Sequence, residues 1–402
     1  MAILLLLFLL RLGWEYRSYT EFISKPFYFT HANVLNAYEK ENGDRRYQVL
    51  KVRSDDGQTF YTTTHRKTLL LYKRLRLQLF PSKTIRFGDY LGTFYIKSRI
   101  KKIENIPFPW KRKLLRDVAS QHKDPSLASF YNAIFFAAPL SKVLREKISL
   151  LGVSHLVALS GFHLGILWGL VYGILLLFYK PLQQRYFPYR YALLDLGLVT
   201  VCVLGIYVWF VGFPPSLVRS YAMLVTGWAV LLMGIELLSF AFLSLVAALL
   251  LVCFPSLAVS LSFWFSVAGV FYIFLLLQYA KQSPAWLITL LFIPAGIFLL
   301  MLPVVHTVFG VTSPYQLLSP LLSVLFILFY PLTMLLHLLG EGGLFDPVLL
   351  WLFSLPKTGE EHFLSLWLGA GYVLLSLAAI RWRRAFYALL VTALGYAGSL
   401  FV

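Results

Sequence analysis

His155-Leu156-Val157-Ala158-Leu159-Ser160-Gly161-Phe162-His163-Leu164-Gly165 opens an apolar run, Leu156 to Phe178, that is long enough to span a bilayer. The stretch places two histidines, a serine and two glycines in the first part of that run. Polar and ionisable groups cost free energy in hydrocarbon, so a membrane helix that keeps them faces protein or a water-filled path. Ahead of it lies a basic, soluble-patterned region; behind it follows a nearly continuous series of apolar segments. The hand-over between the two halves of the chain falls here.

Composition agrees with that division. Of 402 residues, 59% are hydrophobic and 13% charged, against roughly one quarter charged in soluble domains. This is the composition of a polytopic membrane protein. Lys plus Arg number 36 against 18 Asp plus Glu, a formal net charge of +18. Residues 1–125 hold 24 basic and 11 acidic side chains, so most of the excess sits in the water-facing part. A positive surface of that kind suits a polyanion, either nucleic acid or anionic lipid headgroups. The alternative is a solvated basic loop. Cys202 and Cys253 lie inside apolar runs, where a free thiol behaves as a small hydrophobe. No CxxC pair or Cys/His ligand spacing occurs, so no metal and no cofactor is expected.

Met1 to Leu12 is shorter than a span and is not followed by a small-residue cleavage site, which reads as a short membrane anchor over residues 1–19. From Pro26 to about Lys102 the period changes to two. Tyr47 to Arg53 alternates, Asp55-Asp56-Gly57 is a hairpin turn, and Gln58 to Thr64 is the return strand. Leu71, Leu75, Leu77 and Leu79 share one face; Tyr72, Arg74, Arg76 and Gln78 share the other. Gly88-Asp89-Tyr90 turns into a last strand, Leu91 to Ile96. About five strands over residues 20–105 predict a small all-β barrel outside the membrane, of which the OB fold is one type. Residues 106–150 read as a basic connector, with Phe108, Pro109 and Trp110 between charges, followed by an interfacial helix at Leu127 to Leu140.

Residues 151–402 read as a helical membrane domain. Apolar segments fall at about 156–178, 191–211, 217–234, 238–253, 257–277, 285–302, 317–339, 364–380 and 385–401, with a shorter one at 343–355. Short loops rich in Lys and Arg stay cytoplasmic. Lys180, Arg185 and Arg190, then Arg381, Arg383 and Arg384, therefore set the orientation, with the β domain on the outer side.

His155 and His163, eight apart, fall on one side of a continuous helix and are candidates to line a polar path. Otherwise each is a packed histidine bonded to a neighbouring carbonyl. Their spacing is wrong for a helical metal pair, and no carboxylate lies near. Ser160 beside His163 raises nucleophilic catalysis, but no elbow or oxyanion signature accompanies it. Ser160, Gly161, Gly165 and Gly169 equally suit close helix packing. Gly212-Phe213-Pro214-Pro215-Ser216 breaks the backbone just before Arg219, which either snorkels or meets phosphate at a pore mouth. On the β domain, Tyr47, Lys51, Arg53, Tyr72, Arg74 and Arg76 combine cations with aromatic faces, the mixture that binds single strands. They also suit a solubilising face with cross-strand aromatic pairs.

The stretch His155 to Leu164 resembles the signature of the ComEC family of competence DNA channels. Val218-Arg219-Ser220-Tyr221-Ala222-Met223 resembles the family's R-A-x-x-M element, and Leu261-Ser262-Phe263 its LSF element. Ser313-Pro314 to Pro331 resembles its late helix, and a small β domain ahead of the membrane block matches its plan. Ser319 stands where members often carry Asn, and Ser220 where Ala is usual. The resemblance implies inward transport of single-stranded DNA across the bacterial cytoplasmic membrane during natural transformation. The β domain would bind DNA, and His155, Ser160, Gly161, His163, Gly165, Arg219 and Ser262 would line the conduit. It also implies a periplasmic DNA receptor and a cytoplasmic DNA-translocating motor as partners, with homo-oligomers as one assembly. No GxxxxGK[ST] loop is present, and no HxHxDH motif of the nuclease domain carried by many members, so the chain is expected not to be an enzyme. Two other readings stay in view: an intramembrane serine hydrolase using Ser160, and a small-solute or lipid transporter.

Overall fold

The structure is a computed structural model and describes residues 2–42, 45–66, 68, 70–71, 73–105, 109–232, 239–356 and 358–401. It divides into two compact units, residues 1–114 with 245–263, and residues 115–244 with 264–402.

The first unit begins with helix α1 (Ala2–Ser24) and continues through strands β1 (Tyr28–Asn42), β2 (Arg45–Ser54), β3 (Thr59–Thr64) and β4 (Lys73–Phe80). A short helix α2 (Phe87–Leu91) follows, then β5 (Thr93–Tyr95) and β6 (Lys97–Asn105). The sheet order is β5-β3-β2-β1-β4-β6, antiparallel throughout except for the parallel pair β3–β5. The Asp55-Asp56-Gly57 turn forms as the sequence reads. Gly57 takes φ +84°, a left-handed value that costs other residues a Cβ clash, and its N–H donates to Ser54 O at 3.0 Å.

Period-two burial is clear on β4, where Leu75, Leu77 and Leu79 are buried and Arg76 is exposed. These leucines meet Ala32 and Val34 of β1, Leu50 and Val52 of β2 and Phe60 of β3 in one core. Phe22 from the last turns of α1 enters the same core, its ring 5.4 Å from Tyr90 and 6.0 Å from Phe94. The same burial pushes the Tyr90 phenol up to about 12. Phe60 is fully buried and stacks on Phe94 at 5.7 Å. Phe60→Ala is therefore expected to destabilise this unit by about 3–5 kcal/mol. Denaturant titration of the full chain in detergent checks this.

The second unit holds α4 (Pro125–Phe136), α5 (Lys142–Leu150), α6 (Ser154–Val157), α7 (Gly161–Tyr186), α8 (Ala192–Val211) and α9 (Pro215–Leu232). Helices α3 (Pro109–Ala119), α10 (Phe240–Cys253) and, in its first turn, the helix from Leu261 to Tyr279 straddle the unit boundaries. Beyond them come α11 (Leu261–Tyr279), α12 (Ala285–His306), α13 (Ser319–Leu339), α14 (Asp346–Ser354), α15 (Leu366–Ala378) and α16 (Arg383–Phe401). Its two apolar cores are centred on α4–α9 with α13 and α14, and on α11, α12, α15 and α16.

Several expectations need correction. Residues 2–24 form one helix, longer than the short anchor read from Met1 to Leu12, because Trp14 to Ser24 continues it and packs on the sheet. Six strands form, not five. Residues 87–91 form a short helix where Gly88 to Tyr90 were expected to turn into a strand starting at Leu91, that strand is confined to Thr93–Tyr95, and the basic stretch Lys97–Asn105 forms β6. The sheet is an open hydrogen-bonded order; a closed barrel is not what the ladders describe. Residues 125–136 form helix α4, with Leu127, Phe130, Tyr131 and Ile134 buried in a helical core. Among the described residues, six helices are long and apolar enough to cross a membrane: 161–186, 192–211, 261–279, 285–306, 314–339 and 383–401. Among the described residues, the segments expected at 364–380 and 343–355 form helices shorter than a span; those expected at 217–234 and 238–253 extend into residues 233–238, which lie outside the described residues.

Candidate functional site

The expected continuous helix through His155 and His163 does not form. Helix α6 is a single turn, Ala158 leaves it at φ −70° and ψ 117°, and Ser160 is fully extended before α7 starts at Gly161. His155 and His163 therefore sit on two different helices flanking a three-residue hook. Non-helical backbone needs partners for its polar groups, and three of them come from side chains around the hook. Ser216 Oγ, in the first turn of α9, donates to Leu159 O at 2.7 Å. Ser160 caps α7, its Oγ accepting from Phe162 N at 3.3 Å. His163 completes the capping box, its Nδ1 accepting from Ser160 N at 3.3 Å. A Glu or Gln ordinarily fills that third helical position; here an imidazole does.

Accepting at Nδ1 fixes the hydrogen of a neutral His163 ring on Nε2. His163 is fully buried, and its Nε2 has no hydrogen-bond partner. The rings around it are Tyr330 at 4.9 Å and Phe326 at 5.2 Å, both edge-to-face with the imidazole. Nucleophilic catalysis needs a free base with an orienting partner. Nδ1 of His163 lies 3.4 Å from Ser160 Oγ but already accepts from Ser160's own N–H. The geometry gives Ser160 the work of a cap.

Gly161 explains the small-residue reading at one position only. A Cβ there would lie 3.2 Å from Ser220 Oγ, so α7 and α9 cross closely at this point. Gly165 and Gly169 have open space where a Cβ would stand and so are not packing glycines. Gly161→Val is expected to force α7 from α9, costing about 1–3 kcal/mol, whereas Gly165→Ala is expected to leave stability unchanged or raised. Thermal unfolding in detergent compares them.

His155 Nε2 meets Ser323 Oγ at 3.2 Å. Ser323 Oγ donates to Ser319 O at 2.8 Å, and Ser319 Oγ donates to Gly152 O at 3.0 Å. Gly152 takes φ +68° with Gln316 pressed against it, so the α5–α6 turn is stitched to the start of α13 by small hydroxyls. Sequence reasoning singled out Ser319 only as a departure and missed Ser216, Ser323 and Gln316. Their signal is hydroxyl and amide groups in otherwise apolar helices.

The α8–α9 turn is broken as expected: Gly212 has φ +92° and Phe213, unusually for a non-glycine, +53°. Arg219 follows on α9, half-buried, one turn beyond Ser216. Thus His155, Ser160, Gly161 and His163 are brought together around the hook, with Ser216 and Ser220 of α9. Gly165 lies one turn further along α7. Ser262 belongs to the first unit, exposed on the first turn of α11.

On the sheet, register aligns Arg53 with Asn33 and Asn33 with Arg74, and His31 with Arg76. These residues share the face opposite the leucine core. Lys51 Nζ lies 5.6 Å from the Tyr61 ring and Arg76 5.9 Å from the Phe29 ring. Arg74 is paired with Asp55 at 2.5 Å. Tyr47 lies at the far end of β2, opposite Lys40 and 6.3 Å from the His65 ring. Tyr72 falls outside the described residues. Among the described residues, no group of three His, Cys, Asp or Glu side chains is placed to hold a metal ion.

A family model described as "Competence protein" matches residues 137–402, a stretch that contains the hook and all six candidate spans. No curated protein and no solved structure matches the chain.

Proposed function

The chain belongs to the competence protein family, of ComEC type, and from that premise we propose that it carries single-stranded DNA inward across the bacterial cytoplasmic membrane. Membership supports a role in DNA uptake; the finer reading rests on the family match together with the chemistry of the two units. The observation that carries it is that the match covers the whole span-bearing block. DNA bears a charge at every nucleotide, so a path through hydrocarbon must be hydrated and mildly polar rather than lined by strong cations that would trap it. The hook supplies hydroxyls and imidazoles of that kind. His155, Ser160, Gly161, His163, Gly165 and Arg219, all in the second unit, are the proposed lining residues.

The sheet is the proposed DNA-binding element, OB-like but only partly closed, in which β5 and β6 act as one bent strand. Three features support this. Only Ile96 separates β5 from β6, and these strands stand at opposite ends of the sheet order. Thr62 Oγ1 of β3 lies 2.7 Å from Ser98 Oγ of β6, and Ile96 N donates to Tyr61 O at 2.9 Å. Lys51, Arg53, Arg74 and Arg76 then offer phosphate contacts beside Tyr47, Phe29 and Tyr61 for base stacking. Its proposed location is the outer side of the membrane, where a DNA receptor would deliver the strand and from which an inside motor would draw it.

The test is uptake of labelled DNA by a strain lacking this chain. Label held at the cell surface and absent from the cytoplasm, with import restored by the wild-type chain, is the expected result. Normal import in the deletion strain would end the proposal.

A further inference from the structure

The turn between α3 and α4 meets the turn between α13 and α14 through a buried polar cluster. Nδ1 of His122 lies 2.9 Å from Oδ1 and 3.0 Å from Oδ2 of Asp346. Nε2 of His122 lies 2.9 Å from Nε2 of His337. On its other side, His337 Nδ1 lies 2.7 Å from Thr333 O. The His122 side chain is fully buried and that of Asp346 is partly buried, at 0% and 17% exposure.

Counting hydrogens along this chain gives a definite answer. A carbonyl oxygen only accepts, so His337 Nδ1 carries a hydrogen. The contact between the two Nε2 atoms needs one hydrogen, because two imidazole lone pairs would otherwise face each other. The contact between His122 Nδ1 and Asp346 needs one more, for the same reason. That makes three hydrogens, whereas an ionised Asp346 and two neutral imidazoles supply two. Tautomer shifts do not escape the count. Moving the His337 hydrogen to Nε2 repairs the His–His contact but sets a bare Nδ1 against the Thr333 carbonyl.

We propose that Asp346, His122 and His337 form a buried proton-binding site that holds one proton and is electrically neutral as a whole. The proton is shared along the chain, so it belongs to the cluster and not to one residue. Its surroundings suit a cationic imidazole. The Tyr131 ring on α4 stacks on His122 at 4.4 Å and 7°, and it also lies 4.6 Å from His337. A cation over an aromatic face is attracted to it. Tyr131, Asp346 and His337 are the titratable groups that meet His122 from α4, α14 and α13.

The site also works as a fastener. Gln121 Nε2 donates to His337 O at 3.0 Å and Gln121 Oε1 accepts from Gly342 N at 2.8 Å. A Cβ on Gly342 would lie 2.5 Å from Gln121 Oε1 and 2.6 Å from His337 Nε2, so only glycine fits beside the histidine pair. Losing the proton sets two acceptors face to face inside this joint and opens it.

The sign follows from linkage. The folded cluster keeps a proton that the unfolded chain gives up once its histidines are neutral, so stability falls as pH rises. The test compares thermal unfolding of the full chain in detergent from about pH 6.5 to about pH 9.5, wild type against His337→Gln. A Gln amide donates to His122 Nε2 without an added proton, so the variant is expected to lose the pH-dependent fall. In the wild type the folding constant should drop by up to about tenfold per pH unit relative to the variant. Asp346→Asn, which keeps the histidine pair but removes the neutralising charge, should move the fall to lower pH. Parallel profiles in all three proteins would overturn the proposal. A wild-type stability that drops on adding EDTA would also overturn it, assigning the gap between the histidines to a metal ion.

Discussion

Replacing Lys51, Arg53, Arg74 and Arg76 together by alanine is expected to weaken binding of single-stranded DNA to the full-length protein by about a hundredfold at ~0.1 M salt. The estimate comes from counterion release. Each neutralised phosphate on a single strand contributes about 0.7 to the logarithmic salt slope, close to 1 kcal/mol at that salt. Four cations would give a slope change near 2.8. Arg74 already engages Asp55, so roughly three effective contacts, and a slope change of about two, is the better expectation. The measurement is fluorescence anisotropy of a labelled oligonucleotide over a salt series, with the protein in nanodiscs. Affinity and slope must fall together. A loss of affinity at unchanged slope would mean that the cations support the sheet without touching phosphate, and an unchanged affinity would remove this face from the DNA path. Tyr61→Ala should behave differently, losing a stacking platform worth about 1–3 kcal/mol with little change of slope.

The strands were legible because they face two solvents. Leu75, Leu77 and Leu79 alternate with Arg74, Arg76 and Gln78, and Asp56-Gly57 marks a turn whose φ only glycine takes easily. Lys97 to Asn105 was not legible. Ser98, Arg99, Lys101 and Lys102 make it look like a basic linker, and only pairing with β4 makes it a strand. The helical block was legible in composition but not in segmentation. Apolar residues signal burial or lipid, whichever they meet, and do not mark where a helix stops. Thus the hook at 158–160 was hidden inside an unbroken apolar run. The information was nevertheless present. Ser160 followed three residues later by His163 is a capping box with an unusual acceptor. The His122–His337 cluster, by contrast, joins residues 215 apart in the chain, and no local pattern announces such a pair.

His163 is where the two readings of the hook separate. His163→Ala removes a fully buried ring between Tyr330 and Phe326 together with the acceptor for Ser160 N–H. Loss of the cap costs about 1 kcal/mol, and the cavity adds about 2–3 kcal/mol. The expected outcome is about 3–4 kcal/mol of lost stability and no recoverable transformation. His163→Phe refills the volume and removes the unpartnered Nε2–H, so it should recover much of the cavity term while leaving Ser160 N–H without an acceptor. His163→Gln keeps the acceptor, since Gln is an ordinary third-position partner in a capping box, but fills less of the space. If the ring serves as a capping and packing group, Gln should retain more transformation than Phe at matched protein levels in the membrane. If the buried imidazole itself serves passage of DNA, both variants should lose transformation equally, however well each restores stability. Thermal midpoints and transformation frequencies of the three variants decide between these. An outcome in which Phe transforms as well as wild type would show that the hook needs only the shape of the ring, and His163 would leave the proposed lining.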